Sequence, residues 1–274
     1  MLDTSQLNKF KSILFRQIDK LPNNVALCLS AGYDSVALLA LLLDAGKSVT
    51  IYSFTLDNMD SYDYTVAKNL AAITDSTFVG IKLPTNENQL KSDILLLHEK
   101  YGCVKKTDYE CVWPFIYVYS QIKESIIVTG LGAEGHFGST KKGSIHYKDN
   151  LDEFRNMFFS NPNVSQIIQH KKLCNQYNMD FWFPFLTDEV RKFFIGKTWA
   201  DVNKPKVKQP IIDLIPSNFM SVKLKSGNLQ IASNVTKHFD SLIYTDWNIG
   251  NYKSIVGILN CVNRGYFNHV QRLI

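Results

Sequence analysis

The segment Ala26-Leu27-Cys28-Leu29-Ser30-Ala31-Gly32-Tyr33-Asp34-Ser35-Val36-Ala37-Leu38-Leu39 constrains this chain more than any other. It reads as a buried strand, a turn of small residues and a buried helix, with a carboxylate inside the turn. Val25 to Leu29 needs burial on both faces, which suits a central parallel strand, and Val36 to Leu43 is too apolar for a surface helix. The turn therefore falls at a strand's carboxyl end. N–H groups at a helix start have no intrahelical partner, so they can take an anionic phosphate. Gly32 lets the backbone come close, Ser30 and Ser35 offer hydroxyls, and Asp34 suits a Mg2+ ion that bridges phosphates. The bland alternative is a strand-turn-helix corner with Asp34 as a helix cap. No Gly-Lys-Ser/Thr follows the glycine, so a kinase-like or GTPase-like phosphate loop has no support.

The 274 residues suffice for one large domain or two small ones, and 45% apolar content is ample for a core. The net charge of +5 comes almost wholly from scattered lysines. Such a balance suits phosphate ligands and falls short of a nucleic-acid stripe. Cys28, Cys103, Cys111, Cys174 and Cys261 form no C-x-x-C pair. They read as reduced, buried thiols of a cytoplasmic protein, with no zinc site. The amino terminus places Leu7, Phe10, Leu14, Ile18 and Leu21 on one face of an amphipathic helix. It is neither a signal peptide nor a membrane span.

Strands and helices then alternate. Ser48 to Leu56 reads as a second strand, Val66, Leu70 and Ile73 mark a helix, and Thr77 to Leu83 is a third strand stopped by Pro84. Leu90, Ile94 and Leu97 mark another helix, Trp113 to Ile122 a further one, and Ser125 to Thr129 a fourth strand. This order predicts an α/β fold: a doubly wound, mostly parallel sheet with flanking helices and a helical C-terminal half. Residues 1–150 would form the nucleotide-binding core, with 151–274 a helical part packed on it in one continuous domain.

Directly after the fourth strand comes Gly130-Leu131-Gly132-Ala133-Glu134-Gly135-His136-Phe137-Gly138. Four glycines at a strand's carboxyl end would make a second backbone cradle, with Glu134 a second carboxylate near Asp34. In open sheets, ligands bind in the crevice outside these strand ends. The alternative is a flexible loop with a solvated Glu134, and His136 is expected to pack or cap. Ser139 to Asn150, with Lys141, Lys142 and Lys148, reads as a mobile basic loop, either a lid or a plain solvated one.

In this order the segments resemble the asparagine synthetase family, specifically its ATP-dependent synthetase domain within the ATP-pyrophosphatase fold. Ser30-Ala31-Gly32-Tyr33-Asp34-Ser35 is similar to that family's Ser-Gly-Gly-x-Asp-Ser motif. Ser53-Phe54-Thr55 through Ala67 and Ala71 is similar to its adenine-surrounding segment, and Thr129 to Gly138 to its Ser-Gly-Glu-Gly-Ala-Asp-Glu-x-Phe-Gly segment. Phe183-Pro184-Phe185-Leu186 resembles Val-Pro-Phe-Leu-Asp, and Lys223-Leu224-Lys225-Ser226-Gly227 a later basic stretch. Lys206 stands where the family places a lysine, although Lys204 and Lys208 compete with it.

The resemblance implies ATP and Mg2+ as cofactors. ATP would contact Leu29, Ser30, Ala31, Gly32, Asp34, Ser35, Phe54, Thr129, Gly130, Gly132, Lys206 and Lys225. The metal would sit on Asp34 and Glu134, with Lys206 and Asp34 as catalytic residues. The implied reaction is amide ligation: a small-molecule carboxylate is adenylated, pyrophosphate leaves, and ammonia or an amine displaces AMP. A separate glutaminase is one source of that ammonia, since no glutaminase half precedes the first helix and glutamine hydrolysis is not expected. Nucleic acid and membrane are not expected partners.

The departures from the family pattern are Ala31 for a glycine, Leu131 for a glutamate, Glu134 for an aspartate, Gly135 for an acid, Trp182 for an arginine and Thr187 for an aspartate. They keep two further readings open, an ATP-pyrophosphatase acting on a nucleic-acid base and a catalytically inactive nucleotide-binding homologue. An acceptor pocket is expected near Trp113, Tyr117 and Phe181 to Phe185. Residues 228–274, with Trp247, Tyr252 and Tyr266, read either as packing or as a partner surface.

Overall fold

A computed structural model of the chain describes residues 1–225 and 229–265. The strands β1 (Asn24–Cys28), β2 (Ser48–Leu56), β3 (Thr77–Leu83), β4 (Ile126–Val128) and β5 (Asp180–Trp182) form a five-stranded sheet in the order β3-β2-β1-β4-β5. Every neighbouring pair is parallel. The chain winds outward from β1 to β3, then returns to lay β4 on the other side of β1. The strand order thus reverses between β1 and β4, the place where such sheets open a crevice.

The helices are α1 (Thr4–Ile18), α2 (Tyr33–Asp44), α3 (Tyr62–Ile73), α4 (Glu87–Leu96), α5 (Lys106–Tyr119), α6 (Glu134–Phe137), α7 (Lys141–His146), α8 (Leu151–Phe159), α9 (Ile167–Gln176), α10 (Asp188–Phe194), α11 (Trp199–Asn203), α12 (Gln209–Ile212), α13 (Leu229–Ala232), α14 (Val235–Asp240) and α15 (Ile255–Asn263). The sheet divides the core into two layers. Val25, Leu27, Val49, Ile51, Ile126 and Val128 face one layer with α1, α2 and parts of α8 and α10. Ala26, Tyr52, Leu56 and Ile127 face the other with α4, α5, α14 and α15. This alternation is the period-two geometry of a strand covered on both faces. Both layers mix residues from before and after residue 150.

The doubly wound parallel sheet is the expected one, and β2 and β3 have the expected bounds. Four local readings change. The fifth strand was not anticipated; its three residues sit in an aromatic run too short to show a period. The helix expected from Trp113 begins earlier, at Lys106, where the Asp108 carboxylate accepts the Lys105 N–H. Ile73 is exposed and does not join Val66 and Leu70 on the buried face of α3. The segment from Ser139 is also no plain loop. Thr140 caps α7 by accepting the Gly143 N–H at 3.0 Å, and Asn150 caps α8.

The described part of the C-terminal segment packs structurally. Val235, Phe239, Leu242, Ile258 and Val262 fill the second layer. Ser226, Gly227 and Tyr266 lie outside the described residues. Among the described residues, no helix is long and apolar enough to cross a membrane.

Candidate functional site

A cavity of about 640 Å3 opens at the carboxyl ends of β1 and β4. Its near wall is the first loop. Cys28, Leu29, Ser30, Gly32, Asp34 and Ser35 line it, while Ala31 is fully buried behind them. The two serine hydroxyls are spent on the loop itself. Ser35 Oγ accepts the Ser30 N–H at 3.2 Å, and Ser30 Oγ accepts the Gly32 N–H at 3.2 Å. Ala31 is held at both of its backbone groups: its N–H donates to Asp63 Oδ1 and its carbonyl accepts the Lys225 N–H, each at 3.0 Å. Tyr62, beside Asp63, donates to the Lys223 carbonyl. The Ala31 amide is therefore occupied. The groups left to grip an anion are those of the first turn of α2, from Tyr33 to Ser35.

The second loop lies directly against the first. A Cβ on Gly130 would come 3.0 Å from Asp34 Cβ and 3.2 Å from the Ser35 amide nitrogen. Thr129, Gly130, Leu131 and Glu134 line the cavity with Asp34. Gly132 is buried behind the lining, where its positive φ of 85° and the Leu186 side chain exclude any larger residue. Gly135 stands where the resemblance has an acid, and a Cβ there would strike Phe158. Trp182 and Thr187 are likewise absorbed by packing. Trp182 Nε1 donates to Gln17 Oε1 at 3.0 Å, and Gln17 Nε2 donates to Thr187 Oγ1 at 3.2 Å.

Glu134 accepts the Ser165 hydroxyl at 3.1 Å. Burial pushes its carboxyl above the usual range and the nearby Asp34 charge adds to this, while Lys208 opposes both. Asp34 Oδ1 is buried without a hydrogen-bond partner. Its other oxygen accepts Lys208 Nζ at 2.5 Å.

This lysine is the main correction to the sequence reading. Lys206, favoured by spacing, is exposed and outside the cavity lining. Lys208 is 7% exposed and lines the cavity. The cause is Asn203, whose side chain donates to the Phe137 carbonyl at 2.8 Å and accepts the Lys208 N–H at 3.0 Å. That clamp, with Lys208 at φ 65°, turns the chain so that residue 208 rather than 206 meets Asp34. Of the other expected residues, Phe54 lines the cavity and packs edge-to-face on Phe115. Lys225 contributes its backbone, and its side chain is exposed over the Tyr62 ring.

The aromatic acceptor pocket does not form as expected. Trp113 is fully buried, and both Trp113 and Tyr117 donate to Asp93. The far wall instead holds Cys111, Phe115, Ser165, Gln166, His170, Leu229 and Gln230. Of these, sequence reasoning weighed only Cys111, as a buried thiol. The left-handed pair Ser165-Gln166 carries no glycine to betray it. Asp63 was missed too, although an acid at a helix start after β2 was a usable signal.

His136 packs as expected: it is fully buried, hydrogen-bonded to the Phe185 carbonyl at 2.7 Å, and pushed down to about 3 by burial. All five cysteines are free, and burial raises the Cys28 thiol.

Among the described residues no cluster of three or more His, Cys, Asp or Glu is arranged to hold a metal. Asp34 and Glu134 nonetheless fit a hard cation that takes its remaining oxygens from phosphate and water, and the unpartnered Asp34 Oδ1 is the atom such an ion would satisfy.

No protein-family model and no curated protein matches the chain. Among solved structures, it is similar to a tRNA thiolase from Methanococcus maripaludis, with 12% identity over 97% of this chain and 80% of that one and a TM-score of 0.41. It is also similar to an NMN synthetase from Francisella tularensis, with 16% identity over 84% and 99% and a TM-score of 0.37. An NH3-dependent NAD synthetase from Campylobacter jejuni matches with 17% identity over 62% and 78% and a TM-score of 0.36. Likenesses of this size leave the functional argument to the residues of the cavity.

Proposed function

We propose that the chain is a Mg2+- and ATP-dependent ligase that forms AMP and pyrophosphate, adenylating a carboxylate for attack by ammonia or an amine. One observation carries this reading: Lys208, Asp34 and Gly130, from three distant parts of the chain, meet at the start of one helix. An ammonium, a carboxylate and open helix-start amides on one cavity wall match what a metal-bound triphosphate needs. The order of motifs along the chain supports the same assignment.

Each group has a role. The acceptor carboxylate oxygen attacks the α-phosphorus, and the bond to pyrophosphate breaks. Lys208 is placed to neutralise charge on the departing pyrophosphate, and the α2 amides of Tyr33 to Ser35 to hold it. Asp34 and Glu134 would hold Mg2+, which supplies electrostatic stabilisation of the phosphate oxygens. Glu134 is kept in place by Ser165. Leu131 provides no base for the incoming amine, so the amine must arrive neutral.

The test is exchange of labelled pyrophosphate into ATP, with a panel of carboxylates and amines. Exchange that requires both Mg2+ and a carboxylate supports the reading. Absence of any affinity for ATP with Mg2+ in calorimetry would remove it.

A further inference from the structure

The nucleotide reading uses one end of the cavity and leaves its far wall without a task. That wall comes from three elements. Cys111 and Phe115 stand four residues apart on one face of α5, Ser165, Gln166 and His170 come from the start of α9 and the turn before it, and Leu229 and Gln230 from α13.

Its polar groups are uncharged and already oriented. The Asp108 carboxylate can only accept, so Gln166 must turn its NH2 toward it, at 3.3 Å, which leaves the Gln166 carbonyl oxygen to accept. The Cys111 thiol donates to Gln230 Oε1 at 3.7 Å, which leaves the Gln230 NH2 to donate. His170 Nδ1 pairs with the Tyr119 hydroxyl at 2.8 Å, and burial holds the ring neutral by pushing it down to about 3.

The backbone that presents this wall is unusual. Ser165 and Gln166 are consecutive non-glycine residues at φ 50° and 55°, a conformation side chains rarely adopt. Strain of this kind persists where the surroundings over-determine it, and it concentrates at functional sites. Here it directs Ser165 to Glu134 and Gln166 to Asp108.

The opposite end has the reverse character. Asp34 and Asp63 line it, Glu134 stands at its border with the far wall through Ser165, and Lys208 is already paired to Asp34. Among the described residues that line the cavity, Lys208 is the one lysine or arginine, and Asp34 already holds it, so a second carboxylate on the acceptor would find no cation to pair with.

We propose that the far wall is an acceptor subsite that reads an uncharged amide group, a carbonyl together with its N–H, on a molecule with a single reacting carboxylate. The Gln166 oxygen would accept the amide N–H and the Gln230 NH2 would donate to its carbonyl. This rests on the nucleotide reading above. It adds what that reading leaves open, the chemical class of the acceptor.

The test uses the full chain with ATP, Mg2+ and hydroxylamine as the amine. AMP release is followed with two matched acid pairs that differ only by carboxamide for carboxylate: succinamate against succinate, and malonamate against malonate. The expected result is a preference for the amide member of about tenfold or more in kcat/KM. Gln230→Met and Gln166→Asn should each bring the preference toward unity while leaving the KM for ATP within about twofold. Asn tolerates the left-handed backbone, so Gln166→Asn separates lost recognition from lost folding, and an unchanged melting temperature verifies it. Equal or better use of the diacids by a chain that binds ATP with Mg2+ would overturn the proposal and leave the nucleotide reading standing. Failure to turn over either member of both pairs, with ATP binding intact, would overturn it as well. Loss of ATP binding altogether would mark the failure of the nucleotide reading itself.

Discussion

The two loops that meet at the cavity are built on opposite principles. The first, from Ser30 to Ser35, is held by hydrogen bonds: its own hydroxyls, the Asp63 carboxylate and the Lys225 amide fix its backbone. The second, from Thr129 to Gly138, is held mainly by close packing, with Gly130 against Asp34, Gly132 against Leu186, Gly135 against Phe158 and Gly138 against Leu151. Its polar anchors are few: Ser165 donates to Glu134 at the cavity, and at the far end Arg155 donates to the His136 carbonyl at 3.0 and 2.9 Å. A loop held by hydrogen bonds tolerates a methyl group, so Ala31 can stand where the resemblance has glycine. A loop held by contact tolerates none at its close-packed glycines, Gly132, Gly135 and Gly138.

The strongest way to break this contrast is Gly132→Ala. Left-handed backbone and overlap with Leu186 together should cost about 2–4 kcal/mol, read from urea melts. A near-neutral result would show that the second loop is not set by packing. Next is Lys208→Met, which should lower kcat for AMP formation by roughly 10²-fold, on the scale of losing one transition-state donor. Lys206→Met should leave the rate within about twofold. The reverse ranking would restore the spacing-based choice.

Acid should separate the loops further. Burial pushes His136 and His170 down to about 3 from an ordinary value of 6.5, so the unfolded chain binds protons that the folded one refuses. The stability they contribute is present above about pH 6.5 and is lost as pH falls toward 3. Asp63, which anchors the first loop, and Glu134 in the second work in the opposite sense. Burial raises both folded pKa values, so protonation favours the folded state as pH falls, and in the second loop this offsets part of the histidine effect. Local opening, read as loss of amide protection factors, should therefore quicken around residues 130–138 between pH 6.5 and 4.5 before it quickens around 30–35. Simultaneous quickening would argue against separate anchoring.

The smallest effect is expected from Asp63→Ala. It removes one accepted backbone N–H and should cost about 1 kcal/mol. Asp63→Asn keeps an acceptor and should recover most of that in the same melts.

What could be read in advance follows from the range of the forces involved. β2 and β3 were legible because alternating burial is written residue by residue into Ser48–Leu56 and Thr77–Leu83. The two loops were legible because small residues and carboxylates at strand ends are a local signal. Lys208 was not, because its placement depends on Asn203 bridging to the Phe137 carbonyl, a contact across 66 positions. β5 escaped notice because pairing with β4, not its own three residues, makes it a strand. Gln166 and Gln230 escaped for the same reason: only the assembled fold puts them on one wall.

The strap from Lys225 to Ala31 gives the molecule an order of completion. As the polypeptide emerges from the ribosome, the turn at Ser30 appears first, and its ammonium partner Lys208 follows Asp34 by 174 positions, with the tether at Lys225 later still. A chain stopped between them would thus hold the strand and helix of the first loop without the strap and the ammonium that finish it.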